Sequence, residues 1–308
     1  MTESAYLARL LMRLGQGVEQ LSEDRRRLHG DWLLRKQQRD GGFPGREPGS
    51  DLYYSAFALR ALAVLGELTG PPAERAAAYL RAQLEQDVSV IDLISLVLAA
   101  RQVEMAAGCG VLPADLATWS ARLVEQLESL RTDDGGYAKS SEGHAGSTYQ
   151  TFLIALVYEA LEIPHPDADR ARDFLLTQRR EDGGFVEIRA MRRSGLNPTA
   201  AAVAALEILG QTDLPREPII DFVAELQNDE GGFCANTRIP IADLLSTFTA
   251  LQTLVSWNAL DDVDGVAARR FAQAVEEPTG GFRAAGWDDD ADVEYSFYGL
   301  GVLALTTL

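Results

Sequence analysis

One short phrase recurs five times along this chain: an acid or threonine, two glycines and an aromatic residue. Its copies stand at Asp40–Phe43, Asp134–Tyr137, Asp182–Phe185, Glu230–Phe233 and Thr279–Phe282. The last four copies begin 48 to 49 residues apart. A fixed period of this length indicates one helical unit repeated along the chain, with each unit burying its apolar face against its neighbours.

The segments on either side of each phrase differ in character. Amphipathic helices are predicted before the turns, at about 22–38, 117–131, 166–179, 215–227 and 262–275. Nearly all-apolar helices are predicted after the turns, at about 51–65, 147–162, 197–209, 243–256 and 292–306. A sixth unit without glycines is predicted at 72–84 and 90–105, joined by Glu85-Gln86-Asp87, and one more helix at 3–20. Residues that cap helices well mark the predicted starts of the apolar helices: Asp51, Asp92, Ser147, Asn197, Asp243 and Asp292.

A helix that is apolar on every side must be buried on every side. We therefore predict an all-α fold, an α6–α6 barrel (α/α toroid) of six helix-pair repeats with the apolar helices inside. The chain is expected to form a single domain over 1–308, with an N-terminal helix in 1–21 and the repeats in 22–308. The N-termini of the inner helices would gather at one rim, where their positive dipole ends suit anions.

Charge and cysteine content exclude several classes of partner. The net charge of −18 disfavours binding to nucleic acid and to anionic membranes. Only two cysteines occur, Cys109 and Cys234, which argues against a disulfide framework. No uncharged apolar stretch reaches the length of a transmembrane segment, and the N-terminus lacks the features of a signal peptide. The expected location is the cytoplasm.

The turn phrase also carries a family resemblance. In two copies a glutamine stands four residues before the first glycine, at Gln37 and at Gln227. This repeated pattern resembles the superfamily of protein prenyltransferase β subunits and squalene-type terpene cyclases. Within it, Ser141–Gly146 with Tyr149, and the segment from Thr279 to Leu300, look most like the β subunit of Rab geranylgeranyltransferase. The resemblance implies an aromatic-lined central cavity that holds an isoprenoid, with its diphosphate near the rim.

The metal ligands of that family are incomplete here. The resemblance places Asp243 at the aspartate that holds the catalytic zinc, but Leu245 at its cysteine and Tyr295 at its histidine. Leucine cannot bind a metal, so a zinc cofactor is doubtful. The Asp-x-Asp-Asp acid motif of class II cyclases is missing. Asp288, Asp289 and Asp292 match the spacing of the magnesium motif of class I synthases, with helix capping as the alternative interpretation.

Several loop and helix residues are candidates for the site. Arg189, Arg192, Arg193 and Arg238 would clamp the diphosphate, unless they are simply solvated. His144 would contact a phosphate or carry a proton, unless it only bonds the backbone. The aromatic residues expected to line the cavity, with inter-helix packing as the alternative, are Tyr53, Tyr149, Phe248 and Tyr298. The catalytic candidates are Asp243, Tyr295 and His144.

The resulting hypothesis is a prenyltransferase-β-like protein that binds an isoprenoid diphosphate and either transfers or cyclises it. An α-type subunit or a second copy of the chain would be its protein partner. Two alternatives stay open. One is a non-catalytic barrel that binds a lipid or a partner helix. The other is a cyclase with an unconventional acid drawn from Asp288–Asp292.

Overall fold

The computed structural model describes residues 5–86 and 88–307 of the chain. The start of the first predicted helix, at residues 3 and 4, lies outside the described residues, as does Asp87 of the degenerate turn. None of the helices in the described ranges combines the length and apolar character that a membrane span requires.

Thirteen α-helices form nearly all the regular structure of the described residues. They are α1 Tyr6–Glu19, α2 Glu23–Lys36, α3 Leu52–Val64, α4 Gly70–Gln83, α5 Val90–Ala107, α6 Leu116–Glu128, α7 Thr148–Ala160, α8 Ala168–Thr177, α9 Leu196–Ile208, α10 Arg216–Ala224, α11 Leu244–Ser256, α12 Gly265–Ala274 and α13 Val293–Leu305. The alternation of amphipathic and buried helices is as predicted. The sequence did not indicate the two short strands, β1 Phe233–Cys234 and β2 Ala242–Asp243, which pair in antiparallel fashion.

Four of the six predicted helix caps are correct, and two are wrong. Asp51, Ser147, Asp243 and Asp292 each accept a hydrogen bond from a backbone N–H in the first turn of the helix that follows. Helix α5 is instead capped by Ser89, and the predicted cap, Asp92, lies in its first turn and accepts a hydrogen bond from the Ser89 hydroxyl. Helix α9 begins one residue after Gly195, so Asn197 lies inside the helix.

The first glycine of each turn adopts a backbone conformation that other residues rarely accept. Gly41 has φ +98° and Gly183 has φ +88°. A Cβ atom at Gly41 would overlap the carbonyl of Arg75 in α4, and one at Gly183 would overlap that of Pro218 in α10. The turn therefore packs directly on the backbone of the next amphipathic helix, and only glycine fits there.

The aromatic residue of each turn fastens the loop to the inner helix that follows. All five aromatic side chains are fully buried. Each donates its backbone N–H to a buried hydroxyl one turn into that helix: Phe43 to Ser55, Tyr137 to Thr151, Phe185 to Thr199, Phe233 to Thr247 and Phe282 to Ser296, over 2.8 to 3.1 Å. The five copies thus share one construction, which confirms that the phrase is architectural.

The chain forms two compact units. Unit 1 holds Ala117–Ala268 together with residues up to Leu7, and unit 2 holds Ala8–Leu116 with the chain from Arg269 onward. In unit 1, α9 packs between α7 and α11; in unit 2, α3 packs between α13 and α5. The first turns of these buried helices carry three of the candidate residues, Tyr53, Tyr149 and Tyr295, whereas the candidate arginines and His144 lie in loops. The single domain expected over 1–308 stays a prediction.

Candidate functional site

A half-buried carboxyl group bridges two inner helices of unit 2. Glu294 is the only charged residue of α13 and lies in its first turn. Its Oε1 atom accepts a 2.7 Å hydrogen bond from the Tyr53 hydroxyl on α3. The hydroxyl of Tyr298, one turn further along α13, lies 3.4 Å from the same oxygen. Two phenols from two helices therefore hold one oxygen of this carboxyl group.

The surroundings of Glu294 favour its protonated form. Burial raises the pKa of its carboxyl, and the negative charge of Asp292 raises it further. The hydrogen bonds from Tyr53 and Tyr298 act in the opposite direction, because they stabilise the carboxylate, but burial prevails. A carboxylic acid that stays neutral at a higher pH than usual is suited to donating a proton.

Further aromatic rings pack against the two tyrosines that contact this carboxyl group. We call all of these rings the aromatic cluster: Tyr53, Tyr54, Phe57, Tyr295, Phe297 and Tyr298. Phe57 lies at its centre, with ring centroids 5.0 Å from Tyr53, 5.3 Å from Tyr298 and 5.8 Å from Phe297. Tyr295 stands edge-on to Tyr298 at 6.0 Å. The rings therefore form one continuous cluster over the first two turns of α3 and α13.

The guanidinium group of Arg46 binds two aspartates in the loop before α13. Its Nε donates to Oδ2 of Asp292 over 3.0 Å. The two terminal nitrogens of Arg46 donate to the two carboxylate oxygens of Asp288, over 3.1 and 2.5 Å. Asp292 also caps α13 through Oδ1, as the sequence led us to expect. The hydrogen bonds from Arg46 lower the pKa of Asp288, whereas burial raises that of Asp292.

The expected magnesium motif does not fit this arrangement. Arg46 already neutralises Asp288 and Asp292, so these carboxylates are not free to bind a cation. Across residues 5–86 and 88–307, no three side chains of histidine, cysteine, aspartate or glutamate are grouped so that they could hold a metal ion.

The position of Asp243, which the resemblance gives to a zinc ligand, does not fit a metal either. Both oxygens of Asp243 bond to Ser246, through its backbone N–H at 2.7 Å and its hydroxyl at 2.9 Å. Cys234 lies beside Asp243 because β1 pairs with β2, and burial together with the Asp243 charge raises the pKa of its thiol. Leu245 offers no donor atom.

The predicted arginines lie on two adjacent loops of unit 1. Arg189, Arg192 and Arg193 are exposed between Phe185 and α9, and Arg238 is exposed between β1 and β2. The backbone N–H of Leu196 donates to the carbonyl of Ala235, which joins the two loops. In the described part of the chain, none of these four arginines takes part in an ion pair. They form a cationic surface, which we call the arginine loops.

The remaining predicted residues are not part of the aromatic cluster. His144 is exposed in the loop before α7. Tyr149, in the first turn of α7, is 38% exposed and lies near Phe152. Phe248 is buried within α11. All three belong to unit 1, whereas Tyr53, Tyr295 and Tyr298 come together in unit 2.

A second network of buried polar groups ties α6 to α7 in unit 1. Oε1 of Glu128 accepts hydrogen bonds from Tyr137 at 2.6 Å and from Tyr158 at 2.8 Å. Arg131 binds the other oxygen of Glu128, and the ring of His165 lies 3.1 Å from the Tyr137 hydroxyl. Burial and the charge of Arg131 lower the pKa of His165 to about 4. This network fastens helix ends rather than forming an accessible site.

Sequence reasoning overlooked Glu294. The available signal was a lone charged residue in an otherwise apolar inner helix. The position of the Glu294 carboxyl is set by a hydrogen bond from Tyr53, which lies 241 residues earlier in the chain. No local sequence pattern links these two residues.

The model of the prenyltransferase alpha-alpha toroid domain matches residues 5–186 and 190–308. This match confirms the predicted superfamily and the all-α toroid fold class. No curated protein matches the chain.

Solved structures with the same fold differ in function. Candida albicans protein geranylgeranyltransferase-I complexed with GGPP is 15% identical, with a TM-score of 0.53 over 98% of this chain and 84% of that one. A variant of the type II terpene cyclase MstE from Scytonema, in complex with geranylgeranyl dihydroxybenzoate, is 14% identical, with a TM-score of 0.64 over 97% and 98%. The GH76A alpha-1,6-mannanase from Salegentibacter is 11% identical, with a TM-score of 0.56 over 97% and 98%. At such identities the likeness shows the fold alone.

Proposed function

Since this chain belongs to the prenyltransferase alpha-alpha toroid family, we propose that it binds an isoprenoid diphosphate whose prenyl chain lies against the aromatic cluster. The observation that carries the proposal is the continuous set of rings around Phe57. Two of the structural neighbours carry ligands described as GGPP and geranylgeranyl dihydroxybenzoate. The mannanase neighbour shows that the fold by itself does not decide the ligand.

The burial pattern of the aromatic cluster suits a polyprenyl ligand. Phe57, Phe297 and Tyr298 are buried and give the surface a rigid base, whereas Tyr54 and Tyr295 are half-buried. The half-buried rings are therefore the ones that a ligand would contact. Covering them with the methyl and methylene groups of a prenyl chain removes apolar area from water, at about 25 cal/mol per Å².

A separate proposal concerns unit 1: its arginine loops are our candidates for binding an anion such as a diphosphate. Arg189, Arg192, Arg193 and Arg238 are exposed and lie outside any ion pair among the described residues. Guanidinium groups bind phosphate oxygens through paired hydrogen bonds. In a chain of net charge −18, a cationic surface of this kind would be the part that attracts an anion.

Zinc-dependent prenyl transfer is not part of this proposal, because Asp243, Leu245 and Tyr295 do not make a set of zinc ligands. The α-type subunit or second copy of the chain stays a prediction. A barrel that binds the lipid without converting it would give binding and no product.

Calorimetric titration with geranylgeranyl diphosphate and with geranylgeraniol tests the proposal. We expect the protein to bind both ligands. Tyr295→Leu should weaken both affinities about fivefold, because it removes an aromatic contact worth about 1 kcal/mol. Arg192→Glu combined with Arg193→Glu tests the arginine loops separately and should weaken the affinity for inorganic diphosphate. Trp119→Ala, on the amphipathic helix α6, serves as the control and should leave both affinities unchanged.

The proposal fails if neither ligand binds. It also fails if Tyr295→Leu and Trp119→Ala have the same effect, since the aromatic cluster would then have no special part in binding.

A further inference from the structure

The arginine loops of unit 1 also carry exposed apolar side chains. Met191 is 46% exposed, and Ile239 and Ile241 are 44% and 49% exposed. We call residues 189–193 and 238–241, which contain these side chains and the four arginines, the loop tips. Most of the other exposed large apolar side chains among the described residues lie on helices. Apolar groups that are exposed together and bordered by polar groups are typical of interaction surfaces.

Acidic residues are missing from both of these loops. No acid occurs in 188–195 or in 235–242, although the chain has 46 acidic and 28 basic residues. Glu187, the acid adjacent to the first segment, accepts a hydrogen bond from the Ser147 hydroxyl. Asp243, the acid adjacent to the second segment, caps α11. The loop tips therefore place four positive charges close to three apolar side chains.

Internal hydrogen bonds satisfy carbonyl groups of both loop tips. The guanidinium group of Arg180 donates to the carbonyls of Arg189 and Met191, at 2.9 and 3.2 Å. In the hairpin between β1 and β2, the side chain of Asn228 donates to the carbonyl of Pro240 at 3.1 Å. A carbonyl that is already hydrogen-bonded within the protein costs less to move out of water. The loop tips can thus lose water without leaving these carbonyls unpaired.

We propose that the arginine loops dock on the surface of a membrane that contains anionic lipids. The guanidinium groups bind the lipid phosphates, and Met191, Ile239 and Ile241 enter the boundary between headgroups and acyl chains. This inference rests on the anion binding proposed above for the same loops and names the source of the phosphate. It is independent of isoprenoid binding at the aromatic cluster.

A bilayer matches the loop tips better than a free anion does. Phosphates lie at the surface of a bilayer, and apolar groups of a docked protein enter about 5–10 Å into the boundary below them. Arg192 directly follows Met191, and Ile239 directly follows Arg238, so charged and apolar groups are neighbours in both loop tips. A free phosphate would pair with the arginines and leave the apolar side chains in water.

The negative charge of the whole chain does not prevent this contact. The sequence led us to expect that a net charge of −18 disfavours anionic membranes. At physiological ionic strength, however, charges are screened over about 8 Å. A membrane that touches the loop tips interacts mainly with the local charge, which is positive. The expectation from net charge therefore does not apply to this surface.

Co-sedimentation with vesicles tests the inference. We expect the protein to bind phosphatidylcholine vesicles that contain about one-third phosphatidylserine, and to bind pure phosphatidylcholine vesicles at least about tenfold more weakly. Arg192→Gln combined with Arg193→Gln should weaken binding about 25-fold, since each basic residue near such a surface contributes about fivefold. The matched control, Arg122→Gln combined with Arg270→Gln, removes the same charge from exposed positions on α6 and α12 and should bind as the unaltered protein does.

A second variant tests the apolar side chains. Met191→Ser combined with Ile239→Ser should weaken vesicle binding about tenfold, because less apolar area leaves water. The same variant should keep its affinity for inorganic diphosphate, since its arginines are intact. Val266→Ser changes a 68% exposed residue of α12. It serves as the control and should leave vesicle binding unchanged.

The outcomes separate membrane docking from other roles of these loops. If inorganic diphosphate binds but the anionic vesicles do not, docking is wrong and the anion-binding proposal stands. Vesicle binding without binding of inorganic diphosphate would support docking and remove free diphosphate as the ligand. Vesicle binding that Met191→Ser with Ile239→Ser leaves unchanged would overturn docking through the apolar side chains. A dimer in sedimentation that the same variant dissociates, with no vesicle binding, would assign the loops to a second copy of the chain instead.

Discussion

The hydroxyl of Tyr53 donates a 2.7 Å hydrogen bond to the carboxyl of Glu294, and this contact ties the first turn of α3 to the first turn of α13. The two residues come from opposite ends of the chain, yet both lie in unit 2. Around them the repeat places aromatic rings rather than the aliphatic residues that fill most of the other helix contacts. The candidate site is therefore a product of the repeat architecture, because the first turns of neighbouring inner helices come together.

Removing the Tyr53 hydroxyl should raise the pKa of Glu294 further. The hydrogen bond stabilises the carboxylate, so Tyr53→Phe favours the protonated form. Tyr298→Phe should have a smaller effect, because its hydroxyl is 3.4 Å from the carboxyl oxygen. Carboxyl carbon NMR titration of the two variants measures both shifts. A lower pKa in Tyr53→Phe, or an equal effect of the two substitutions, would contradict this account.

Replacing Arg46 should destabilise unit 2 at neutral pH. Arg46→Met leaves Asp288 and Asp292 buried without their cation, at a cost of about 1–3 kcal/mol in the free energy of unfolding. The half-exposed position of Arg46 places the expected cost at the lower end, because solvent screens the pair. Urea unfolding measures the loss, and Arg46→Lys should restore part of it.

The ion pair between Arg46 and Asp288 should make the free energy of unfolding depend on pH. Arg46 lowers the pKa of Asp288 below its unfolded value, so the pair contributes stability above that value. The contribution disappears as the pH falls and Asp288 takes up a proton. The difference between the unaltered protein and Arg46→Met should therefore shrink between pH 5 and pH 2. A difference that grows on acidification would contradict the pairing.

Much of the fold followed from the sequence because the repeat is a local signal. Gly-Gly turns, capping residues and apolar periodicity act over a few residues, so helices such as α3 and α11 begin where their capping aspartates predict. The errors were also local. Ser89 and Asp92 both suit a helix start, and only the backbone shows that Ser89 is the cap.

The site itself was harder to predict because it depends on distant partners. Tyr53, Tyr295 and Tyr298 were recognised as candidates from their place in the first turns of inner helices. Glu294 was missed, since a lone acid in an apolar helix has no visible function until Tyr53 is placed beside it. The Asp288–Asp292 segment resembled a metal motif because its spacing gives no sign that Arg46 would occupy two of its carboxylates.

Two glycines with nearly the same φ allow the stability cost of backbone strain to be measured separately from the cost of a steric clash. Gly41 has φ +98° and would place a Cβ against the carbonyl of Arg75, whereas Gly49 has φ +101° and open space around it. Gly49→Ala should cost about 1–3 kcal/mol of stability from strain alone. Gly41→Ala should cost clearly more, because the turn must also move away from α4. Equal losses in chemical denaturation would mean that the turn does not pack on α4.

His165 should make the stability of unit 1 depend on pH. Its pKa is lowered to about 4 in the folded protein, whereas an unfolded histidine titrates near 6.5. Between these values the unfolded state binds the extra proton, so the free energy of unfolding falls as the pH falls, by at most about 1.4 kcal/mol per pH unit. Denaturation at pH 7 and pH 5 measures this loss. His165→Gln should lose less stability than the unaltered protein over the same interval, and an equal or larger loss would contradict the burial of a neutral His165.

The most direct test of the central claim is a crystal structure of the protein with a non-hydrolysable analogue of geranylgeranyl diphosphate. We predict that the prenyl chain lies in contact with Tyr54 and Tyr295 of the aromatic cluster. A prenyl chain bound away from the aromatic cluster, or a crystal soaked to saturation that holds no ligand, would contradict the proposed function.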